Sequence, residues 1–97
     1  MAQVVYSAHA VENIERVMQL LLEKPPEVAI ASAGAIRSAV ENLASHPLIG
    51  RRVEDDLREL VVSYGVTGYI ALYRFDIQRD QVRVLALRHQ REIGYLP

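Results

Sequence analysis

Residues 57–89 read LRELVVSYGVTGYIALYRFDIQRDQVRVLALRH. Residues 59–64 follow the period of two that is typical of a β-strand. The segments 69–77 and 82–89 are rich in aromatic and β-branched side chains, which favour strands. A glycine-bounded turn at 65–68 and a polar turn at 78–81 separate these segments. The sequence therefore predicts a three-stranded meander in the second half of the chain.

The first half of the chain has a different period. Apolar residues recur at spacings of three and four over residues 11–22 and again over 29–43, as in amphipathic helices. Pro25 and Pro26 separate the two sets, because residues before proline avoid the α region and Pro26 suits the first turn of a new helix. His46-Pro47 is the predicted end of the second helix. The two segments predict a helical hairpin.

Three shorter features complete the predicted order. Residues 3–7 form a short strand closed by Ser7 as a helix N-cap, and residues 50–56 form a polar loop. Gly34 lies inside the second helix and costs about 1 kcal/mol relative to alanine, so we expect it to allow close helix packing. The order is β-α-α-β-β-β, an α+β fold in which the hairpin covers one face of an antiparallel sheet. Residues 1–97 form a single domain.

Composition limits the chemistry that the chain can perform. Apolar residues make up 51% of the chain and charged residues 24%, so a real core is expected. There is no cysteine, which excludes disulfides and cysteine-based metal or nucleophile chemistry and favours a reducing cytosol. The N-terminus lacks the pattern of a signal peptide, and no apolar run could cross a bilayer. The acidic triplet 54–56 is expected to be solvated, so neither a metal nor a cofactor is predicted.

Charge is distributed unevenly along the chain, although the net charge is only −1. Residues 1–50 contain three basic and five acidic groups, whereas residues 57–97 contain six arginines and four acidic groups. A solvated strand surface and an anion-binding site explain this polarity equally well.

Four segments resemble motifs of the RelE/ParE toxins. Residues 43–52, LASHPLIGRR, resemble the P-x-x-G-(K/R) linker of that family, and LREL follows at 57–60. Residues 68–74, GYIALYR, resemble its GY-x-x-x-Y-(R/K) strand. Residues 82–92, VRVLALRHQRE, resemble its terminal strand with an HxR ending. The segments occur in the family's order and with plausible spacing over nearly the whole chain.

The resemblance implies the toxin of a type II toxin–antitoxin pair, which a cognate antitoxin neutralises by direct binding. The resemblance is compatible with a toxin dimer or a toxin–antitoxin heterotetramer. RelE-like members cut mRNA in the ribosomal decoding site, whereas ParE-like members inhibit DNA gyrase. Ile70 stands where the resemblance places an arginine, and Val61, Val62 and Ser63 stand where it places paired lysines. Losing such preorganised cations should leave little nuclease activity, so the sequence favours the gyrase inhibitor.

The alternatives imply different site residues. For a nuclease, the resemblance assigns Arg91, Tyr95 and His89 to late catalytic positions, with Arg58 or Arg74 substituting for the missing cations. For contact with a target or antitoxin, the candidates are Arg51, Arg52, Arg88, Arg91 and Tyr95. Ordinary roles compete with each of these, such as a solvated His89 or an ion pair between strands for Arg74. A third alternative is a relative that binds its antitoxin but is no longer toxic.

An apolar surface for a partner is also predicted. Ile70, Leu72, Val84 and Ala86 fall on alternating positions with Val82. Whichever alternating set the helices do not cover is expected to receive an antitoxin segment.

Overall fold

A computed structural model describes residues 1–64, 67–91 and 94, with only the backbone described at 63, 64 and 67. The predicted turn residues Gly65 and Val66 lie outside this description. The elements are β1 (Gln3–Tyr6), α1 (Ala8–Leu21), α2 (Pro26–Asn42), β2 (Arg51–Glu54), β3 (Leu57–Tyr64), β4 (Thr67–Asp76) and β5 (Gln81–His89). The α+β class and the predicted element order are confirmed, with β2 added to them. None of the described helices is both long enough and apolar enough for a membrane span.

The sheet has the strand order β1-β5-β4-β3-β2. The predicted antiparallel meander is formed by β3, β4 and β5. As expected, β1 pairs with a later strand, but it runs parallel to β5, from Gln3 opposite Gln81 to Tyr6 opposite Val84. The sheet is therefore mixed, with one parallel edge strand added to an antiparallel ladder.

The prediction of a loop over residues 50–56 was wrong. Residues Arg51–Glu54 form an edge strand that pairs antiparallel with β3. All of its side chains are exposed, so no burial pattern marks it in the sequence. Asp55 adopts a positive φ of 48° in the tight turn between the two strands. Aspartate tolerates that conformation better than most residues, which lets the chain reverse within two residues.

One side of the sheet is covered by both helices. Ser7 caps α1 as predicted, because its Oγ accepts the Ala10 N–H at 3.0 Å. Helix α1 packs mainly on β5, and α2 packs on β3. The side chains at the centre of this core are fully buried, and they include Leu43, Tyr73, Val82, Val84 and Leu87.

Helix α2 departs from the sequence prediction at two points. It ends at Asn42, four residues before the predicted stop at His46. Gly34 does not serve close packing, because it is exposed and a Cβ built on it would meet nothing within 4 Å. The glycine therefore costs helix propensity without a packing gain that offsets it.

Gly34→Ala should stabilise the fold by about 0.5–1 kcal/mol, since alanine loses less backbone entropy in a helix interior. The same substitution at Gly50 should destabilise it, because the new Cβ would lie 2.6 Å from Tyr73 Cε1 and 2.8 Å from the Glu59 carbonyl oxygen. Urea unfolding of both variants measures this contrast. A destabilised Gly34→Ala variant would show that Gly34 has a packing role.

Strand β5 contains an extra residue that changes which side chains face the helices. Leu72 pairs with Ala86 and Tyr73 pairs with Val84, so Leu85 has no partner on β4. Val82, Val84 and Leu87 therefore belong to the core under the helices. Ala86 turns to the other side of the sheet, which we call the open face. The prediction that Val84 and Ala86 share a face was wrong because of this bulge.

The start of α1 holds the bulge in place. The Ser7 hydroxyl donates to the Leu85 carbonyl at 3.1 Å. Asn13 is buried, and its Oδ1 accepts the Leu87 N–H at 3.0 Å. These side chains bind backbone groups of β5 beyond Val84, the last residue of β5 that pairs with β1. This part of the β5 edge has no partner strand, so the two side chains satisfy the hydrogen bonds of its backbone groups.

A second contact fixes the linker between α2 and β2. The Gly50 N–H donates to the hydroxyl of Tyr73 at 2.8 Å in a buried position. Burial raises the pKa of Tyr73, so the hydroxyl stays protonated at neutral pH. The glycine lets the backbone lie directly against the tyrosine ring.

Tyr73→Phe should destabilise the fold by about 1–3 kcal/mol, because the buried Gly50 N–H loses its acceptor while the ring remains. Tyr6→Phe is the matched control, since that side chain is half exposed. Thermal unfolding of both variants tests the prediction. Equal stabilities for the two variants would contradict it.

Candidate functional site

Arginines from three strands lie on the open face. Arg74 pairs with Arg83 across β4 and β5, and Arg88 pairs with Ile70 two rows further along the same face. Arg51 pairs with Glu59 across β2 and β3. Residues opposite each other on neighbouring strands point to the same side of the sheet, so these four side chains share one face.

Glu59 lies between the arginine rows and was not predicted as a site residue. It is buried, with 8% of its surface exposed, and one of its carboxylate oxygens lies 2.9 Å from Arg51 Nη2. It shares its row with Leu72 and Ala86. The signal in the sequence that could have identified Glu59 is a carboxylate inside a predicted strand that is otherwise largely apolar.

Arg74 and Arg83 lie directly opposite each other, an arrangement of like charges that is unfavourable by itself. Arg74 Nε contacts Asp56 at 2.9 Å, but both side chains are well exposed and such a pair contributes little. Arg83 is exposed, and no ion pair to it is found among the described residues. Nothing in the sequence marks Arg83 as a site residue. The pair can therefore bind an external anion.

Between the arginines the open face is apolar. Ile70 and Ala86 are buried, Leu72 is half-buried, and Val61 opposite Ile70 is 53% exposed. Ile70, which stands where the resemblance places an arginine, thus lies at the centre of this face. These four side chains form an apolar strip, and arginines border it.

Arg58 and Arg52 lie elsewhere. Arg58 pairs with the core residue Tyr73, which places it on the helix side of the sheet. Its Nη1 donates to the carbonyls of Leu48 at 3.2 Å and Gly50 at 2.8 Å, so it holds the linker. Arg52 Nε donates to the Asp55 carbonyl in the adjacent turn. Neither lies beside the open-face arginines.

His89 and Arg91 lie beyond the open face, at the end of β5. His89 pairs with Tyr69, a core residue, and the two rings meet edge to face at 5.3 Å. His89 Nδ1 accepts the Arg91 backbone N–H at 3.1 Å. Burial raises the pKa of Tyr69, which keeps that phenol protonated. Tyr95, predicted as their companion, lies outside the described residues.

His89 and Arg91 line a cavity of about 340 Å³ between the helical hairpin and the sheet, here called the hairpin pocket. Its other walls include Leu21, Lys24, Ser32 and Tyr69. Apart from Arg52 and Arg58, the described members of the predicted site therefore separate into two groups. Arg51, Arg74 and Arg88 lie on the open face, whereas His89 and Arg91 lie at the pocket.

Comparisons with known proteins agree with this architecture. The family described as ParE toxin of type II toxin–antitoxin system, parDE, matches residues 4–94. Toxin RelE3 of Caulobacter vibrioides is 34% identical over 92 residues, covering 95% of this chain and 98% of the relative. The crystal structure of the RelBE2 toxin–antitoxin complex from Mycobacterium tuberculosis matches with a TM-score of 0.57 and 24% identity, over 92% of this chain and 98% of its match. The intact RelBE complex of E. coli matches with a TM-score of 0.60 and 12% identity, over 95% of this chain and 100% of its match.

Arg58 and Arg74 should differ sharply in their effect on stability. Arg58→Ala removes donors from two backbone carbonyls and should cost about 1–3 kcal/mol. Arg74→Ala breaks only an exposed pair and should cost about 0–1 kcal/mol. Chemical denaturation of both variants measures the difference. If Arg74→Ala were the more damaging change, the roles inferred from their contacts would be reversed.

Proposed function

The chain belongs to the ParE toxin family of type II toxin–antitoxin systems, and we propose that it is a RelE-like toxin that cleaves mRNA on the ribosome. The observation that carries this proposal is the opposed pair Arg74 and Arg83 on the open face, one row from the buried carboxylate of Glu59. The similarity to a toxin named RelE over nearly the full chain supports the same activity. We therefore rank mRNA cleavage above inhibition of DNA gyrase, the activity that the missing cations favoured at the level of sequence.

The arginine pair fits a phosphate diester. Guanidinium groups bind phosphate oxygens through parallel N–H donors, and two of them facing each other would share one anion. Such a contact relieves their mutual repulsion, which the exposed Asp56 offsets only weakly. Arg88, beside Ile70, adds positive charge two rows away. The apolar strip between these rows offers a surface on which unstacked bases could pack.

Glu59 supplies the proton acceptor in this proposal. Its carboxylate takes the proton of a ribose 2′-hydroxyl, and the 2′-oxygen then attacks the adjacent phosphorus. The bond from phosphorus to the 5′-oxygen breaks, and that oxygen takes a proton from water. Arg51 at 2.9 Å positions the carboxylate, while Arg74 and Arg83 stabilise charge on the phosphate oxygens. Arg58 acts by holding the linker, and His89 and Arg91 do not share this phosphate.

A cognate antitoxin is the proposed inhibitor. The apolar strip around Ile70 and Leu72 suits a protein segment as well as it suits bases, so one partner would exclude the other. Arg51 and Arg88 lie on the same face, where an acidic antitoxin segment could pair with them, whereas Arg52 lies opposite Arg58 and away from this face. A heterotetramer of two toxins and two antitoxins is compatible with this arrangement.

Inhibition of DNA gyrase is the second candidate. It is favoured by Ile70 and Val61, which leave the centre of the open face without the cations expected of a nuclease. An apolar centre with charged borders is also the usual composition of a protein–protein interface. In that case the same face would contact the enzyme rather than RNA.

A short induction without antitoxin separates the two targets. We expect incorporation of labelled methionine to collapse within minutes, while incorporation of labelled thymidine continues. A fall in thymidine first, with protein synthesis intact, would identify gyrase as the target. Unimpaired growth of cells that accumulate the folded chain would identify a relative that has lost toxicity.

Variants connect the phenotype to the open face. Glu59→Gln and Arg83→Gln should each lower mRNA cleavage on purified ribosomes by about a hundredfold or more, the usual loss for one preorganised charge. Arg37→Gln is the matched control, because Arg37 is exposed on α2 and forms an ion pair with Glu41 within its own helix. Full cleavage by both open-face variants would remove these residues from the mechanism.

A further inference from the structure

The hairpin pocket has features of a ligand site that the cleavage proposed on the open face does not use. Its floor is apolar, formed by Val17, Leu21, Val28 and Tyr69. Its volume of about 340 Å³ lies at the lower end of the range for small-molecule sites. It lies on the helix side of the sheet, so its occupant would not compete directly for the open face.

A buried hydroxyl in this pocket is not satisfied by the described protein. Ser32 lines the cavity and is 1% exposed, yet its Oγ has no hydrogen-bond partner among the described residues. A serine inside a helix can bond to the carbonyl four residues earlier, and this one does not. Buried polar atoms nearly always have partners. The wall of the cavity thus contains a hydroxyl whose hydrogen-bonding capacity is unused.

The polar rim of the pocket is dominated by donors. Lys24, the only lysine of the chain, and Arg91 line it, and Glu23 is the one acidic side chain among the described residues that do so. His89 also lines it, and its Nδ1 is occupied as the acceptor of the Arg91 N–H. In the neutral ring the proton is then on Nε2, which is a further donor. The rim is thus cationic above an apolar floor.

We propose that the hairpin pocket binds a small organic anion, consisting of an apolar body and one carboxylate. The body fills the floor beside Tyr69 and Leu21. The carboxylate accepts from Lys24 and Arg91, and the Ser32 hydroxyl gains its missing partner. Charged hydrogen bonds in such a partly enclosed site are stronger than neutral ones, so the charge of the ligand determines its affinity.

Calorimetric titration of the purified full chain tests this with two probes of the same shape, 3-phenylpropionate and its neutral amide. We expect the acid to bind and the amide to bind at least about tenfold more weakly. Equal affinity for both probes, or no heat from the acid at millimolar concentration, would overturn the proposal. The measurement involves neither ribosome nor gyrase, so its outcome is independent of the toxin's target.

Variants locate the binding site. Lys24→Gln and Ser32→Ala should each weaken the acid several-fold, and Lys24→Gln should bring the affinities for acid and amide closer together. Arg79→Gln is the matched control, because that arginine is exposed in the turn between β4 and β5. Lys24 is exposed, so its replacement should leave the melting temperature unchanged. Equal weakening by Lys24→Gln and Arg79→Gln would indicate nonspecific charge attraction and refute the site.

Discussion

The extra residue in β5 determines which chemistry each side of the sheet presents. Without the bulge at Leu85, strict alternation from Val82 and Val84 would turn Arg88 toward the helices and His89 toward the open face. With it, Leu87 completes the core, Arg88 joins Arg74 and Arg83 on the open face, and His89 packs against Tyr69. One unpaired residue thus separates the arginine face from the pocket.

The bulge depends in turn on the first half of the chain. Ser7 and Asn13 bond to the backbone of β5 at Leu85 and Leu87, while Ser7 also caps α1. The same few residues therefore start the first helix, dock it on the sheet and set the register of the last strand. The parallel pairing of β1 with β5 ends at Val84, where this side-chain capping takes over. Side chains from the beginning of α1 thus satisfy backbone hydrogen bonds at the edge of β5.

The sequence predicts whatever depends on local periodicity. The two helices, the meander and the N-cap at Ser7 follow from spacing and from residue type, and the structure has all of them. The bulge could not be predicted, because residues 84–87 are Val-Leu-Ala-Leu and an unbroken apolar run hides the point where alternation shifts. Strand β2 was missed because an exposed edge strand forms when β3 offers it a hydrogen-bonding edge, not when its own side chains need burial.

The candidate site was harder to predict for the same physical reason. Membership of the family can be recognised from motifs in sequence order, whereas the site depends on which residues face each other across strands. Arg58 and Arg74 look equivalent in the sequence, yet one bonds to the linker backbone and the other borders the open face. No motif position marks Arg83, and its candidacy as a site residue depends on its position opposite Arg74. The arginines after residue 57 therefore do not form one basic surface, because they are divided among the open face, the contact that holds the linker, the turn between β4 and β5 and the rim of the hairpin pocket.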